Sequence, residues 1–328
     1  MTDADALVIG GSRFIGRHTV QALLAEGYEV TTFNRGNRES PFGDAVGHVE
    51  GDRREDEDLR DACDAVDPDV VVDCVAYYPR DVEVACEVFA DVDAYVFVSS
   101  GAAYGAERIP KREGETPLHD CTDEQATDDT WDTYGNRKAE ADRRLFAAAE
   151  DGVNAMSLRP PIVYGPHDYT ERFDYWVDRV DGADRVLVPG DGTNLRHLVY
   201  VADVADAILT LIDRGEPGEA YNCGDDHLPT LGEWVDLVAD ACDSHPEIVT
   251  AGTRELEAGD LTHEDFPLYR GYPHVLDTTK LRDLGWRSTP HEEAVAATVE
   301  HVRERGFEGE RGPERENEER VLDILETM

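Results

Sequence analysis

Lysine is nearly absent from this chain of 328 residues: Lys111, Lys138 and Lys280 are the three among 31 basic residues. Long apolar runs are missing too, so no membrane-spanning helix and no membrane partner are expected. The six cysteines (Cys63, Cys74, Cys86, Cys121, Cys223 and Cys242) form no CxxC pair. That spacing argues against a zinc ribbon or a disulfide framework and predicts reduced thiols. Nowhere do His, Cys and carboxylate side chains recur at metal-ligand spacing, and no metal is expected. No basic segment precedes the first apolar run, so no signal peptide is expected either. Together these absences predict a cytoplasmic protein.

Acid is what the chain has in excess: 73 acidic residues give a formal net charge of −42. Self-repulsion at that density opposes a compact state. At about 1 M salt the Debye length is only about 3 Å, and the repulsion is screened. The composition resembles that of proteins from extreme halophiles. The acid is spread along the whole chain, which fits solvation better than a docking patch. It also argues against a nucleic-acid partner, whose phosphates would be repelled. A hydrophobic share of 40% is enough for a packed core.

Short β-branched runs alternate with helical patterns in the first half. Strands are predicted at 6–9, 29–33, 46–50, 70–75, 95–98 and 155–158. Helices are predicted at 19–24, 134–149, 201–214, 231–242 and 292–305. Continuous apolar strands separated by helices imply a parallel sheet covered on both faces. The expected fold is therefore α/β, a Rossmann-like doubly wound parallel sheet with a smaller, mostly C-terminal α/β substrate domain. Residues 1–165 are read as the nucleotide domain, its core including about 196–224. The substrate part is read as 166–195 and 225–307, and 308–328 as a charged tail, solvated over 308–319 and closing in a short docking helix or a frayed end.

Two local patterns carry chemistry. The first strand runs into Gly10-Gly11-Ser12-Arg13-Phe14-Ile15-Gly16, where a helix begins. Such a turn suits a dinucleotide pyrophosphate, because glycine permits close backbone approach and the helix N-terminus offers N–H donors. The second strand ends in Asn34-Arg35 rather than in an acid. An arginine can pair with an adenosine 2′-phosphate that a carboxylate would repel, so Arg13 and Arg35 favour NADP over NAD. Tyr134 and Lys138 stand four apart at the start of a predicted helix, on one face. A phenol with an ordinary pKa of about 10 needs an adjacent ammonium to act as a base near neutral pH. In a chain that otherwise uses arginine, a lysine here points to a task arginine does not perform.

These residues resemble the extended short-chain dehydrogenase/reductases, the NAD-dependent epimerase/dehydratase family. Gly10 to Gly16 is similar to its GGxGFIG loop, with Arg13 in place of the middle glycine, as in an atypical branch that includes chloroplast stem-loop RNA-binding proteins. Val98 to Gly105 is similar to its SSxxVYG segment. The resemblance implies that Ser100 hydrogen-bonds the reacting oxygen beside Tyr134, that Lys138 also holds the nicotinamide ribose, and that Asp52 contacts the adenine. It makes the 159–166 turn and the 190–205 block landmarks of a substrate site, with Arg196 placed to clamp a phosphate and His167 where specificity residues lie. Gly101 and Ala102 occupy the positions of the dehydratases' Asp-Glu pair, so 4,6-dehydration is not expected. The implied activity is hydride transfer on a nucleotide sugar or related alcohol or carbonyl by a homodimer, as an epimerase or an NADP-dependent reductase. A reading of another class is a non-catalytic nucleotide-sensing or RNA-associated protein.

Overall fold

Val70, Val71, Val72 and Asp73 are all buried, as a strand with both faces covered requires. In the computed structural model, which describes residues 4–307, 309 and 311–327, this run is one of a regular series. Along the chain come β1 (Asp5–Ile9), α1 (Phe14–Glu26), β2 (Glu29–Asn34), β3 (Gly47–Glu50), α2 (Asp56–Val66), β4 (Val70–Asp73), α3 (Pro79–Val88), β5 (Ala94–Val98), α4 (Tyr134–Glu150) and β6 (Ala155–Arg159). Next are β7 (Ile162–Tyr164), α5 (Asp174–Gly182), β8 (Arg185–Pro189), β9 (Leu198–Tyr200), α6 (Val201–Arg214) and β10 (Ala220–Asn222). The chain ends through α7 (Leu231–Cys242), β11 (Glu247–Ala251), α8 (Thr253–Ala258), α9 (Thr279–Asp283), α10 (His291–Arg305) and α11 (Arg315–Glu326).

Two compact units result. The first comprises residues 1–161, 201–224 and 276–287. Its sheet has seven parallel strands in the order β10-β6-β5-β4-β1-β2-β3. This is the Rossmann-like doubly wound architecture the strand pattern implied. The chain steps outward from β1 through β2 to β3, then returns to β4 on the other side. The crevice beyond the carboxyl ends of β1 and β4 is the switch point where such sheets take ligands. Helices α3 and α4 pack together, as do α1 and α6.

The second unit comprises residues 162–200, 225–275 and 288–328 and has two small parallel pairs, β7 with β9 and β8 with β11. Its core gathers Tyr164, Phe173, Trp176 and Trp234 with the apolar faces of α5, α7 and α10.

The sequence reading had assigned 276–287 to the substrate part, whereas the structure joins it to the first unit. The cause is the edge strand β10: Lys280 Nζ donates to the Ala220 carbonyl at 2.9 Å, and Asn222 Nδ2 donates to the Asp277 carbonyl at 3.1 Å. The tail also differs from the solvated expectation, part of which falls on residues 308 and 310, outside the described residues. At its close the tail is the docking helix and not a frayed end, α11 burying Val321 and Leu322; the difference lies at Glu318. The Glu318 carboxylate lies inside, accepting from Arg179 Nε at 2.8 Å and the Tyr175 hydroxyl at 2.9 Å.

One polar network ties the far side of the first unit together. Asp142 on α4 is fully buried and accepts from Ser157 Oγ at 2.6 Å and Arg159 Nε at 2.8 Å. Arg159 Nη1 donates to the Tyr104 hydroxyl, which donates to Asn222 Oδ1 at 2.8 Å. Removing one member of a buried ion pair leaves the other charge uncompensated. Asp142→Ala is therefore expected to lower the unfolding free energy by about 3–5 kcal/mol, measured by denaturant titration at constant high salt; a loss no larger than that of an exposed acid would contradict the pairing.

Candidate active site

The glycine turn lies at the switch point. Gly10 has φ +90°, and a Cβ there would sit 2.5 Å from Val75 Cγ1. At Gly16 a Cβ would sit 2.3 Å from the Gly10 carbonyl oxygen. These positions accept only glycine, and the turn folds tightly onto the start of α1 in consequence. No side chain caps that helix and its first turn carries no acid, so its positive end is presented to whatever the turn holds. Ser12, Arg13, Phe14 and Ile15 complete the cradle, with Arg13 exposed at the N-cap. The glycines are demanded by the turn's own packing, and the tight turn sets backbone at the N-terminus of α1, an arrangement that suits a dinucleotide pyrophosphate.

At the ends of β2 and β3, Arg35, His48 and Glu50 are exposed and Asn34 and Asp52 half-buried. Asn34 Oδ1 accepts from the Gly36 N–H at 3.0 Å and pairs with His48 Nε2. Arg35 points to solvent. Asp52 holds its own turn, Oδ1 accepting from the Arg54 N–H at 3.0 Å. The β2–β3 register sets Glu50 opposite Asn34, and its carboxylate lies against Gly36, 2.8 Å from where a Cβ would be. Sequence reasoning missed this acid because it comes from the neighbouring strand.

Lys138 is the centre of the site. Its ammonium is buried and donates to the carbonyls of Ala76 at 2.8 Å and Val98 at 2.9 Å. Burial pushes its pKa down to about 8, and Asp73, Asp142 and Asp81 pull the other way. Asp73 closes β4 and is itself held by the buried Arg53 guanidinium and the Tyr95 hydroxyl. A carboxylate ending a buried valine run was a visible signal that the sequence reading did not use.

Tyr134 opens α4 with its ring 5.8 Å from Lys138 Nζ. The next residue, Gly135, packs so closely on the Gly101–Ala103 turn that a Cβ would lie 2.5 Å from the Ala102 carbonyl oxygen. Ser100 caps that same turn, its Oγ accepting from the Ala102 N–H at 3.1 Å. That hydroxyl still has its proton to donate. The structure thus brings the segments carrying Ser100, Tyr134 and Lys138 together. Arg137, also buried, donates to the carbonyls of Tyr77 and Thr130 and fixes the approach to α4. Burial pushes the thiols of Cys74 and Cys86 up to about 12.

In the second unit, Arg196 is buried, makes no ion pair among the described residues, and its Nε has no hydrogen-bond partner. Its pKa is pushed down to about 10 by burial and by the cations of Arg270 and Arg172. Burial and two neighbouring cations both disfavour the charged guanidinium, and an anion brought to this cluster would offset that cost. Arg172 and Arg270 were not singled out as a set in the sequence because 98 positions separate them. His167 has φ +69° and packs its ring edge-on against His301 at 4.3 Å.

Residues 6–224 match the model of a family described as "NAD dependent epimerase/dehydratase family". The chain is 27% identical over 301 residues to the Arabidopsis thaliana chloroplast stem-loop binding protein of 41 kDa b, covering 86% of this chain and 74% of that one. It is 27% identical over 218 residues to the Mus musculus dTDP-D-glucose 4,6-dehydratase, covering 65% of this chain and 57% of that protein's length. Among solved structures, the Thermus thermophilus UDP-glucose 4-epimerase in complex with NAD superposes with a TM-score of 0.68 at 25% identity, over 91% of this chain and 99% of that one.

The buried amine makes a testable pH signature. Its pKa in the folded chain, about 8, is below the 10.5 of the unfolded chain. The unfolded state therefore binds the extra proton between these values. The penalty for burying the charge is full below pH 8 and is relieved as pH rises toward 10.5. The stability of the cofactor-free wild type relative to Lys138→Met is expected to rise over that window, by at most about 3 kcal/mol, in paired denaturant titrations. A flat difference would show that the ammonium is not buried.

Proposed function

Because the chain belongs to the NAD dependent epimerase/dehydratase family, we propose that it is an oxidoreductase-type enzyme acting on a nucleotide sugar by hydride transfer, with Ser100, Tyr134 and Lys138 as its catalytic set. The observation that carries this reading is the buried Lys138 ammonium beside the Tyr134 ring, next to the turn capped by Ser100. A nicotinamide cofactor supplies or accepts the hydride when bound, and Gly10, Gly11, Ser12, Arg13, Phe14, Ile15 and Gly16 would hold its pyrophosphate. Lys138 favours the phenolate of Tyr134 by its charge. The phenolate takes the proton of a substrate hydroxyl, and in the reverse direction the phenol returns it. Ser100 donates its hydroxyl proton to the same oxygen and holds it in line. Within the second unit, Arg196, with Arg172 and Arg270, would bind an anionic group.

Epimerisation needs only these parts, with hydride removed and returned to opposite faces, and is the preferred outcome; net reduction is the other. Gly101 and Ala102 offer no carboxyl for eliminating water, which counts against 4,6-dehydration even though dehydratases are among the relatives. A stem-loop binding relative supports the RNA-associated reading, but the net charge of −42 opposes it.

The expected NADP preference rested on Arg13 and Arg35. Glu50 changes the balance, since a carboxylate at the ribose repels a 2′-phosphate. We infer NAD as the cofactor, as in the Thermus neighbour's complex.

Two measurements test this. At molar salt, UDP-glucose or dTDP-glucose with NAD⁺ is expected to turn over, and Tyr134→Phe to lower kcat by about 10²–10⁴-fold while NAD⁺ binding persists. Turnover surviving that substitution, or RNA retained without cofactor binding, would remove the enzymatic reading. For the cofactor, calorimetry is expected to give tighter binding of NAD⁺ than NADP⁺, the gap narrowing in Glu50→Gln; tighter NADP⁺ binding in the wild type would restore the arginine argument.

A further inference from the structure

Trp131 is the most exposed large apolar side chain among the described residues, at 81%. The other three tryptophans, Trp176, Trp234 and Trp286, are at 3% or less. A single exposed apolar residue needs no explanation in general. Trp131 is set apart by where it stands and how firmly it is held.

Its ring lies 5.3 Å from that of Tyr134, tilted by 56°. The short 3₁₀ turn that carries it, Trp131–Thr133, is pinned on both sides. Asp128 Oδ2 accepts from Thr130 Oγ at 2.6 Å and from Thr133 Oγ at 2.9 Å, and its Oδ1 accepts from the Thr130 N–H. Buried Arg137 Nη2 donates to the Thr130 carbonyl at 2.8 Å. The indole is thus exposed on a constrained backbone, close to the proposed base.

Direction follows from burial. Lys138, on one side of the Tyr134 ring, is buried; Trp131, also beside that ring, is open to solvent. An indole open to solvent 5.3 Å from the Tyr134 ring is within reach of a ligand whose hydroxyl meets Tyr134. Aromatic faces take apolar C–H faces and flat rings, and they hold a ligand's orientation at little entropic cost. A sugar ring presents such a C–H face beside its hydroxyls.

We propose that Trp131 is the platform on which the sugar ring of the substrate stacks while its hydroxyl meets Tyr134. This rests on the nucleotide-sugar reading above and adds to it a residue that selects the sugar rather than the nucleotide.

The buried state of the other three tryptophans makes fluorescence quenching by acrylamide a direct readout of Trp131. With NAD⁺ present, UDP-glucose is expected to about halve the quenching constant of the wild type by excluding water from the indole, while UDP or NAD⁺ alone leaves it unchanged. Trp131→Ala is expected to raise KM for UDP-glucose about tenfold with kcat and NAD⁺ affinity little changed, and Trp131→Phe to retain most of the affinity. Unchanged quenching while calorimetry registers UDP-glucose binding would overturn the platform and leave the enzymatic reading standing. Protection by NAD⁺ alone would assign the indole to the cofactor, and protection that grows with protein concentration would assign it to a contact between copies; either overturns the proposal. Calorimetry that registers neither UDP-glucose nor dTDP-glucose would overturn the nucleotide-sugar reading and this proposal with it.

Discussion

The Lys138 ammonium, shared between the carbonyls of Ala76 and Val98, is the interaction on which the candidate site depends. Those two carbonyls lie just past β4 and at the end of β5, and the lysine comes from α4. One side chain thus fixes a helix against the carboxyl ends of two central strands. Its charge is costly to bury, and nearby acids offset that cost. Asp73 is the first of these, and it is held in turn by Arg53 and Tyr95. Arginine would not serve in that slot: its planar fork is larger, and its proton is never given up.

Charge is arranged differently inside and outside the molecule. The excess acid of the sequence is mostly on the surface, where it is solvated. Buried acids have partners: Asp73 has Arg53, Asp142 has Arg159, and Glu318 has Arg179. Arg196 breaks this pattern: among the described residues it has no carboxylate partner, and its Nε has no hydrogen-bond partner. Two further arginines lower its pKa rather than balance it.

The parts of the site that lie within one strand, one turn or one helix were legible in the sequence. The Gly10–Gly16 turn and the Tyr134–Lys138 spacing are of this kind, because a few residues of local geometry determine both. Glu50, Trp131 and the grouping of Arg172 and Arg270 with Arg196 were not legible. Glu50 comes to lie opposite Asn34 only through the β2–β3 register. Trp131 could have been core, as most tryptophans are, until its exposure was known. The same reasoning separates residues 276–287 from their sequence neighbours, since a bare strand edge at β10 recruits them.

By itself, then, the sequence determined the alternation of strands and helices, the turn that only glycine can form and the pairing of a phenol with an amine four residues on. Those depend on backbone sterics and on periodicity, which act over a few positions. Tertiary structure alone decided how deep Lys138 is buried, which acids surround it, which carboxylate stands at the end of β2 and which indole faces water. Burial and electrostatics sum over groups brought together from distant parts of the chain, and no local pattern contains that sum.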